Sequence, residues 1–585
     1  MNGRQKTTAK VPPTCADHLT GCNTTTMQKY VIGIDTGGTF TDAVLMDIES
    51  GTIVSSAKKP TTHHHLAEST GAALAALLEQ AAIPPAEIRA VAVSSTLATN
   101  SVVENKGARV AVFVIGYVKH FKLPVKAVIF VKGGHTIMGG EEEPLELDYL
   151  VNLLHSLKDE VDAYGVCAAM SMINPTHELV TEKAIAMIDP KPVFCSHRIS
   201  QTAGMQERAA TAGLHAKLMP IMQEYVAGVQ TALAAQDLTC PMMVIGGNGR
   251  AISSEDAVGQ AGMTVASGPA CTACFGAQQT RGSALVIDVG GTTTDIAMIE
   301  DGRPLMAAEG CKIGQWRTHV EAIDMSTGGI GGDSHVHISA KKTISIGPAR
   351  VIPLSMTENI PPVTQWLGKE DRSKLVIYRR GSTIRDDDKL TAFLRNRGQA
   401  TPEQIHHATG LSGVTLDRDL EQLERKQLTD ECGFTPTDAL HVLGHISLGD
   451  RAKALAGATV LAAAADMAVD DFCKMVIRKT EEQIENLVID HLVQHYWGNS
   501  LASFIPARNN HPVLGVDFSL KIPLIGIGAA ARYFLPAVAT RLATTVSFPP
   551  YSEVGNAVGA AVICRKALTG LGEDTLCPPS SPGIS

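Results

Sequence analysis

The first part of the chain alternates short apolar runs with amphipathic stretches. Residues 30–58 read as strand, Gly turn, strand, Ser-Gly turn and strand, because Val, Ile and Thr are enriched between typical turn residues. The Ala- and Leu-rich stretch at 66–82 has helical periodicity. Further strands of the buried type are predicted at 90–95, 108–115 and 161–171. This alternation of strands and helices predicts an α/β domain.

The same order of elements begins again near the middle of the chain. Residues 283–310 read as strand, Gly turn, strand, Asp-Gly turn and strand. The likeness extends to a short motif, because residues 33–42 read GIDTGGTFTD and residues 286–295 read VIDVGGTTTD. An internal repeat at this separation predicts two similar domains that face each other.

Each copy of the motif ends a strand with Asp and continues into a Gly-Gly-Thr turn. Glycines let the backbone approach a ligand closely, and successive N–H groups form a cradle for an anion. A carboxylate does not bind phosphate directly, so we expect Asp35 and Asp288 to hold Mg²⁺ through water. A single copy is equally typical of a β-hairpin with a Gly turn. Two copies favour domains that grip a polyphosphate from opposite sides.

The predicted site therefore takes equivalent residues from both copies. We expect the Gly and Thr residues of the two turns to bind the phosphates: Gly37, Gly38, Thr39, Thr41, Gly290, Gly291, Thr292 and Thr294. The predicted catalytic carboxylates are Asp35, Asp42, Asp288 and Asp295. Spacing alone leaves open whether the second acid of each copy ligates the metal or orients an attacking water.

The composition excludes several classes of protein. The 585 residues exceed one simple core, and 44% hydrophobic and 19% charged residues are ordinary for a globular protein. A net charge of −9 gives no positive field for nucleic acid, and no apolar run reaches the roughly 18–20 residues of a membrane span. The 12 scattered Cys residues indicate reduced thiols and a cytoplasmic protein. The one C-x-x-C pair, Cys271 and Cys274, is more typical of helix packing than of metal binding.

Residues 370–432 differ from the sequence on either side. Two amphipathic helices joined by a Gly turn, at 402–408 and 414–428, predict a winged-helix-like insert. Such a module suggests DNA binding, but residues 369–431 contain 12 basic and 12 acidic residues, whereas nucleic-acid modules carry a basic face. The balance favours a structural or partner-docking insert, and we expect no nucleic-acid partner.

The paired motifs resemble the phosphate loops of the actin, Hsp70 and sugar-kinase ATPases. This resemblance implies two ribonuclease-H-like α/β domains that face a nucleotide cleft. Residues 522–542 resemble the adenosine loop of that superfamily, where Gly526 and Gly528 would let the nucleotide approach. Residues 552–562 resemble its helix of small residues that links the two halves.

A narrower resemblance is to the hydantoinase A/5-oxoprolinase family. It rests on the opening motif at 33–42 and on six further blocks: 94–112, 171–178, 206–211, 267–270, 323–334 and 435–444. The resemblance covers roughly 30–370 and 433–565, and the chain departs from it at His215, Ser326 and Asp333, where the family usually has Asn, His and Gly.

The resemblance implies a domain organisation and an activity. The expected segments are a disordered 1–28, an N-terminal domain at 29–240, a second ATPase domain at 241–369 and 433–570, the insert, and a disordered 571–585. Family members use ATP and Mg²⁺ to phosphorylate the oxygen of an unreactive amide, lactam or ketone. The implied partners are a small cyclic amide and a separate hydantoinase B-type subunit, which the hydrolytic step needs.

Several polar residues are candidates for further contacts. Substrate contact is predicted for Thr96, Thr99, Asn100, Glu104 and Asn248, although helix capping and turn formation explain them about as well. A second divalent-metal site is predicted for Asp324, Asp333, His335 and His337, because the two His would share one face of a strand. The His tract at 63–65 is more typical of a solvated loop. Asp438 and His441 lie one helical turn apart, but a helix cap explains the acid equally well.

Three functions stay open at this point. The first is an ATP-dependent amidohydrolase subunit, the second is an ATP-dependent ketone carboxylase subunit, and the third is an ATPase switch that remodels a partner protein. They differ in what stimulates ATP turnover: a cyclic amide, a ketone with bicarbonate, or a protein.

Overall fold

The structure of the protein is a computed structural model. It describes residues 28–38, 40–61, 66–103, 107–117, 119–199, 203–307, 310, 312–313, 316–368, 373–379, 388–411, 413–425, 428–508, 513 and 515–570. The two segments predicted to be disordered, apart from Gln28, lie outside the described residues, and so does the His tract at 63–65.

The N-terminal part contains two parallel or mixed sheets flanked by helices. Its elements are, in chain order, β1 (Tyr30–Thr36), β2 (Phe40–Asp47), β3 (Ile53–Pro60), α1 (Leu66–Ala81), β4 (Ile88–Ser95), α2 (Leu97–Val103), β5 (Val110–Ile115), β6 (Ala127–Val131), α3 (Leu147–Leu157), β7 (Ala163–Ala168), α4 (Thr176–Ile188), β8 (Val193–Cys195), α5 (Met205–Ala234), β9 (Met242–Ile245), β10 (Ala251–Ser253) and α6 (Ser254–Gly259).

The first sheet has the strand order β10-β9-β4-β1-β2-β3. Strand β1 buries both faces, because Ile32 and Ile34 pack towards α1 and α5 while Val31 packs on the opposite side. A strand covered on both faces carries apolar residues towards both sides, which fits the Val and Ile enrichment that predicted this strand. Strands β9 and β10 belong to this sheet, so the sheet continues past residue 240, where we expected the domain to end.

The second sheet of the N-terminal part is parallel and has the order β6-β5-β7-β8. The 30-residue helix α5 packs against its strands β5, β7 and β8 and also against α1 of the first sheet. Helix α5 therefore joins the two sheets into one unit. This smaller sheet carries the residues at 171–178 and 206–211 that resemble family blocks.

The second half contains the repeated hairpin, the insert and a helical layer. Its elements are α7 (Ser267–Ala277), β11 (Ala284–Val289), β12 (Thr294–Glu300), β13 (Arg303–Pro304), β14 (Lys312–Ile313), β15 (Trp316–Arg317), β16 (Met325–Gly328), β17 (Ser334–Ile338), β18 (Ile344–Arg350), β19 (Ile352–Pro353), β20 (Lys374–Tyr378), α8 (Lys389–Arg397), β21 (Gln399–Ala400), α9 (Pro402–Thr409), α10 (Gly413–Arg425), β22 (Thr429–Gly433), α11 (Pro436–Val442), α12 (Arg451–Ala464), α13 (Val469–Trp497), β23 (Leu524–Ile527), α14 (Ala531–Arg541), β24 (Val546–Ser547) and α15 (Gly555–Thr569).

The sheet of the second half repeats the first one strand for strand. Its order is β13-β12-β11-β23-β24, in which an antiparallel hairpin continues into two parallel strands. The first sheet does the same along β3-β2-β1-β4-β9. The internal repeat seen in the sequence is therefore a repeat of topology.

Helices α7 and α15 pack against each other between the two repeated sheets. Small residues make this approach close: a Cβ on Gly559 would lie 2.0 Å from the carbonyl oxygen of Cys271, and one on Gly33 would lie 2.1 Å from that of Ala557. Cys271 and Cys274 are buried free thiols within α7, as the packing interpretation predicted. Helix α15 occupies the place predicted for the linking helix.

The insert forms its own small core around Val376, Leu394, Ile405 and Leu420. Helices α8, α9 and α10 pack on strands β20, β21 and β22, and the capping box at Thr401 starts α9. This is the content predicted for a winged-helix-like unit. Its role stays a prediction.

Among the described residues, no single helix is long and apolar enough to cross a membrane. One bent pair, α12 and α13, which meet at 90°, passes that test by length and composition only.

Candidate active site

The two hairpins have the same register and the same turn. Asp35 pairs with Asp42 across β1 and β2, and Asp288 pairs with Asp295 across β11 and β12. The turns are closed alike: Gly37 N–H donates to the carbonyl of Phe40 at 3.0 Å, and Gly290 N–H donates to that of Thr293 at 3.0 Å. Each hairpin therefore presents two acids beside a glycine turn.

Asp35 is held between the first sheet and the linking helix. Its Oδ1 accepts from Ser94 Oγ at 2.7 Å, and its Oδ2 accepts from Asn556 Nδ2 at 3.2 Å. Burial raises the pKa of Asp35 to about 7, because the two hydrogen bonds offset only part of the lost hydration and Asp42 and Asp288 add negative charge.

Asp288 has the equivalent position in the second sheet. Its Oδ2 lies 3.0 Å from Thr272 Oγ1, and the same hydroxyl contacts Asn556 Oδ1. Burial raises the pKa of Asp288 to about 7, and the nearby charge of Asp295 adds to that rise. Asn556 and Thr272 thus connect the two strand-end acids through one chain of contacts.

The second acid of the first hairpin has a cation beside it. Lys58 Nζ lies 3.0 Å from Asp42 Oδ1 and 3.1 Å from Oδ2, and it also donates to the carbonyl of Glu553 at 3.3 Å. Burial raises the pKa of Asp42 even though Lys58 opposes the rise. The positive charge of Lys58 also lowers the pKa of Asp288, an acid of the second hairpin.

Among the residues that the structure describes, no cation pairs with Asp295, the second acid of the other hairpin. Burial raises the pKa of Asp295 to about 6, and a hydrogen bond from Thr327 opposes the rise. The four predicted catalytic acids are thus buried or half-buried, and negative charges among them raise the pKa values of Asp35 and Asp288. Carboxylate oxygens are the preferred ligands of Mg²⁺, and a divalent cation would relieve this repulsion, so Asp35 and Asp288 fit the predicted metal.

The predicted phosphate-binding residues divide into two sets. Gly38 faces open space, which suits a cradle, and Thr39 lies outside the described residues. Thr41 and Thr294 are buried and already bonded: Thr41 Oγ1 lies 3.1 Å from Thr61 Oγ1, and Thr294 Oγ1 donates to the carbonyl of Ile330 at 2.8 Å. These two hydroxyls therefore stabilise the hairpins through bonds within the protein. Thr292, in contrast, is exposed.

A second glycine-rich loop braces the turn of the second hairpin. Gly332 N–H donates to the carbonyl of Gly290 at 3.0 Å, and Asp333 N–H donates to that of Gly291 at 2.7 Å. A Cβ on Gly291 would lie 2.4 Å from Asp333 Oδ2. Thr437 Oγ1 in turn donates to the carbonyl of Gly332 at 2.8 Å. The blocks at 323–334 and 435–444 therefore shape this turn.

The predicted adenosine loop follows β23 beside the second hairpin. Gly528 has φ +90°, and a Cβ there would lie 2.4 Å from Asp288 Oδ1. Gly526 faces Phe548 instead, with a Cβ distance of 2.4 Å to the ring, which gives this glycine a packing role. Of the two glycines, Gly528 is the one that adjoins the acids.

The predicted substrate residues that the structure describes contact the backbone of neighbouring segments or solvent. Thr96 lies nearest to the site, with its methyl group 3.8 Å from the Cβ position of Gly268. Thr99 Oγ1 accepts from Ala266 N–H at 2.9 Å, and Asn248 Oδ1 accepts from Arg250 N–H at 3.1 Å, as in a turn. Asn100 is exposed, and Glu104 lies outside the described residues.

The structure does not assemble the predicted second metal site. Asp324 Oδ2 is bonded to His495 Nδ1 at 2.7 Å, and Asp333 faces the second hairpin turn. His335 Nε2 lies 3.1 Å from the carbonyl of Ser373, and its ring is 6.2 Å from that of His337. These side chains have different neighbours in the structure, and the second metal site stays a prediction.

Two of the departures from the family pattern also find local partners. Ser326 Oγ lies 2.8 Å from His491 Nδ1 of α13, a contact between distant segments that no pattern in the sequence predicts. His215 is fully buried, stacks on Phe194 and accepts from Gly262 N–H at 3.0 Å. Burial lowers the pKa of His215 to about 3, so the ring is neutral. Asp438 bonds the backbone of residues 354 and 355, which is a structural role.

Among the described residues, one group has the spacing of metal ligands: Glu178, Cys195 and His197. Glu178 is instead satisfied by Ser196 Oγ at 2.6 Å and His197 Nδ1 at 2.6 Å, with Arg208 at 3.7 Å. Burial raises the pKa of the Cys195 thiol, which keeps it protonated. The group is therefore an ion-pair network that joins the blocks at 171–178 and 206–211.

Comparison with known proteins agrees with this geometry. A family model described as the hydantoinase/oxoprolinase N-terminal region matches residues 31–188, and one described as hydantoinase/oxoprolinase matches residues 208–563. The caprolactamase subunit alpha of Pseudomonas jessenii is 25% identical over 364 residues, which cover 55% of this chain. That match spans 50% of the length of the relative.

Two solved structures share the fold over most of the chain. An acetone carboxylase, in a nucleotide-free structure, superposes with a TM-score of 0.65 at 17% identity, over 92% of this chain and 70% of the other. The ATP-dependent caprolactamase from Pseudomonas jessenii superposes with a TM-score of 0.60 at 19% identity, over 91% and 70%. These likenesses confirm the predicted α/β ATPase fold, and at this identity they concern the fold alone.

Proposed function

The chain belongs to the hydantoinase/oxoprolinase family, and we propose that it uses ATP to phosphorylate the carbonyl oxygen of a cyclic amide. The ring, a lactam, hydantoin or oxoproline-like compound, is thereby activated for hydrolysis. The observation that carries the proposal is the meeting of the two strand-end acids, Asp35 and Asp288, through Asn556 and Thr272. The name of the caprolactamase relative supports a cyclic amide as the substrate class.

The residues have distinct roles in this proposal. Mg²⁺, when bound, would neutralise phosphate charge between the hairpins, with Asp35 and Asp288 as its holders through water. The N–H groups of Gly37 and Gly290 close the turns, so those of Gly38 and Gly291 would cradle the phosphates. Lys58, whose positive charge acts on Asp42 and Asp288, would stabilise the negative charge that develops on ADP as it leaves.

The proposed reaction needs ATP and water but no oxidant or reductant. The carbonyl oxygen attacks the γ-phosphorus, the bond to the β-phosphate oxygen breaks, and ADP leaves. One water then adds to the activated carbon and the C–N bond of the ring breaks, which leaves an acyl phosphate with a free amine. A second water cleaves the acyl phosphate, and phosphate and the open-chain amino acid leave. We further propose that a separate subunit performs this hydrolytic step, since the caprolactamase relative is named as one subunit of an enzyme.

The first experiment separates phosphorylation from hydrolysis. ATP labelled with ¹⁸O at the β–γ bridge is incubated with the full chain, Mg²⁺ and 5-oxoproline, hydantoin or a lactam. Reversible phosphoryl transfer lets the bridge oxygen exchange with the other β-phosphate oxygens even when the hydrolytic partner is missing. We expect exchange only with a cyclic amide, and none in Asp288→Ala.

The control is Asp471→Ala, which removes an exposed acid on α13. This variant should behave like the wild type. Exchange that needs a ketone and bicarbonate would indicate the carboxylase instead. Turnover that ignores all these compounds and responds to a protein would overturn the proposal in favour of the switch.

A further inference from the structure

A cleft of about 430 Å³ opens at the edge where the strands of the β6-β5-β7-β8 sheet begin. It is lined by Arg109 at the start of β5, by Val125 and Lys126 before β6, and by Lys217 of α5. None of the residues proposed for the nucleotide lines it. The volume is within the range of about 300–1,000 Å³ that small-molecule sites occupy.

The three cations of the cleft differ in how they are compensated. Arg109 forms a two-pronged pair with Asp162, with Nη2 2.8 Å from Oδ1, and Lys126 Nζ lies 3.1 Å from Glu160 Oε2. Lys217 is only 6% exposed, and within the described part of the chain no hydrogen bond or ion pair reaches its ammonium. Burial without a partner lowers the pKa of Lys217.

The backbone at Lys217 is fixed from both sides. Ala108 N–H donates to the carbonyl of Lys217 at 3.0 Å, and a Cβ on Gly107, which has φ +109°, would lie 2.8 Å from that oxygen. Pro220 follows inside the same helix and removes one helical N–H donor. The loop before β5 therefore docks on α5 where the ammonium enters the cleft.

We propose that this cleft binds a small organic monocarboxylate whose carboxyl group pairs with Lys217. The stem of Lys217 is buried, and its ammonium lines the cleft with no acid beside it among the described residues. An anionic ligand in the cleft would supply that acid. Since Arg109 and Lys126 are each neutralised by an acid, the cleft has about one uncompensated positive charge. One charge matches a carboxylate better than a phosphate dianion.

The chemistry of the proposed reaction suggests which carboxylate to test. Opening of a lactam ring yields a chain with a carboxylate at one end and an ammonium at the other. The choice of an amino acid rests on the proposed function, whereas the carboxylate site itself does not.

The test is a binding titration of the full chain by calorimetry, without nucleotide. The probes are 5-aminopentanoate, pentanoate and inorganic phosphate, and the variants are Lys217→Met and the control Lys474→Met, an exposed lysine on α13. We expect each carboxylate to bind the wild type and Lys474→Met with the same affinity, and to bind Lys217→Met at least tenfold more weakly. Phosphate should bind the wild type more weakly than either carboxylate. Equal affinity in Lys217→Met, tighter phosphate binding, or no binding at 10 mM carboxylate would each overturn the proposal.

Thermal unfolding without ligand gives a second readout. Met has nearly the length of Lys and no charge, so Lys217→Met should unfold at the same or a higher temperature than the wild type. A lower unfolding temperature, or failure to fold, would mean that the ammonium stabilises the protein itself, which contradicts a site built for a ligand. Neither readout depends on ATP turnover, so this proposal and the proposed function fail separately.

Discussion

Asn556 Nδ2 donates to Asp35 Oδ2 at 3.2 Å, which joins the last helix of the described chain to its first strand. The Oδ1 atom of the same amide contacts Thr272 Oγ1, whose other neighbour is Asp288. An amide suits this position because it donates on one side and accepts on the other. One uncharged side chain thereby sets the relation between the strand-end acids of the two domains.

Replacement of Asn556 by Asp should move the pH dependence of ATP turnover. A new carboxylate beside Asp35 would raise the pKa of Asp35 further, so more alkaline solution would be needed to ionise it. We expect turnover at pH 7 to fall about tenfold for each pKa unit, with partial recovery near pH 9. The measurement is kcat from pH 5.5 to 9.5. Asn556→Ala removes a hydrogen bond that lowers the pKa of Asp35 but adds no charge, so it should give a smaller alkaline displacement than Asn556→Asp. Equal profiles for both variants would contradict this role.

Replacement of Lys58 by Met should reduce kcat more than it changes the KM for ATP. The variant leaves Asp42 buried without its cation, and it removes a positive charge that acts on acids of both hairpins. Loss of one charge-stabilising group commonly costs about 10²–10³ in rate. Steady-state ADP release measures the effect. Lys59→Met is the matched control, since neighbouring residues of a strand point to opposite faces, and the assignment fails if both variants behave alike.

The repeat of fold could be predicted because it is written in local sequence. Both Gly turns, their flanking strands and the small-residue helix at the end of the chain have short-range signals, and the structure has them in the predicted order. The matching register of Asp35 with Asp42 and of Asp288 with Asp295 follows directly from the turn length. A tight hairpin allows little else.

The remainder of the site depends on contacts between distant segments. Thr272 and Asn556 are in contact across the interface of α7 and α15, and no short-range pattern around either residue predicts that contact. Lys58 stands beside Asp42 only through the pairing of β2 with β3, which becomes informative once the strand register is known. The predicted metal group at 324–337 shows the opposite case, because residues close in sequence have different neighbours in the structure.

Gly528→Ala should reduce nucleotide binding and turnover by more than backbone strain explains. Its φ of +90° disfavours any side chain, and a Cβ would lie 2.4 Å from Asp288 Oδ1. Gly570→Ala provides the control, since Gly570 has φ +64° and open space around its Cβ position. Gly570→Ala should lose thermal stability from strain alone, and Gly528→Ala should lose more because its Cβ also clashes with Asp288 and the Val289 carbonyl. Only Gly528→Ala should raise the Kd for ATP, by about tenfold or more for a loss of ~1.4 kcal/mol of binding free energy, and calorimetric titration checks this.

The buried acids should make the metal-free protein less stable as pH rises. Asp35 and Asp288 have pKa values raised from 3.8 to about 7, so between these limits the folded state binds more protons than the unfolded state. The free energy of unfolding then decreases with increasing pH over that window. Asp288→Asn removes one of the ionising groups. Relative to the wild type, this variant should therefore gain stability between pH 4 and pH 8 in the presence of a chelator.

Addition of Mg²⁺ at pH 8 tests the same acids from the other side. A cation that binds the ionised carboxylates of the folded state stabilises that state by mass action. The unfolding temperature of the wild type should rise with Mg²⁺, while that of Asp288→Asn should rise much less, because one of its two charged holders is gone. The comparison uses thermal melts of both proteins with Mg²⁺ and with chelator. Equal responses of the two proteins to Mg²⁺ would place the metal away from Asp288.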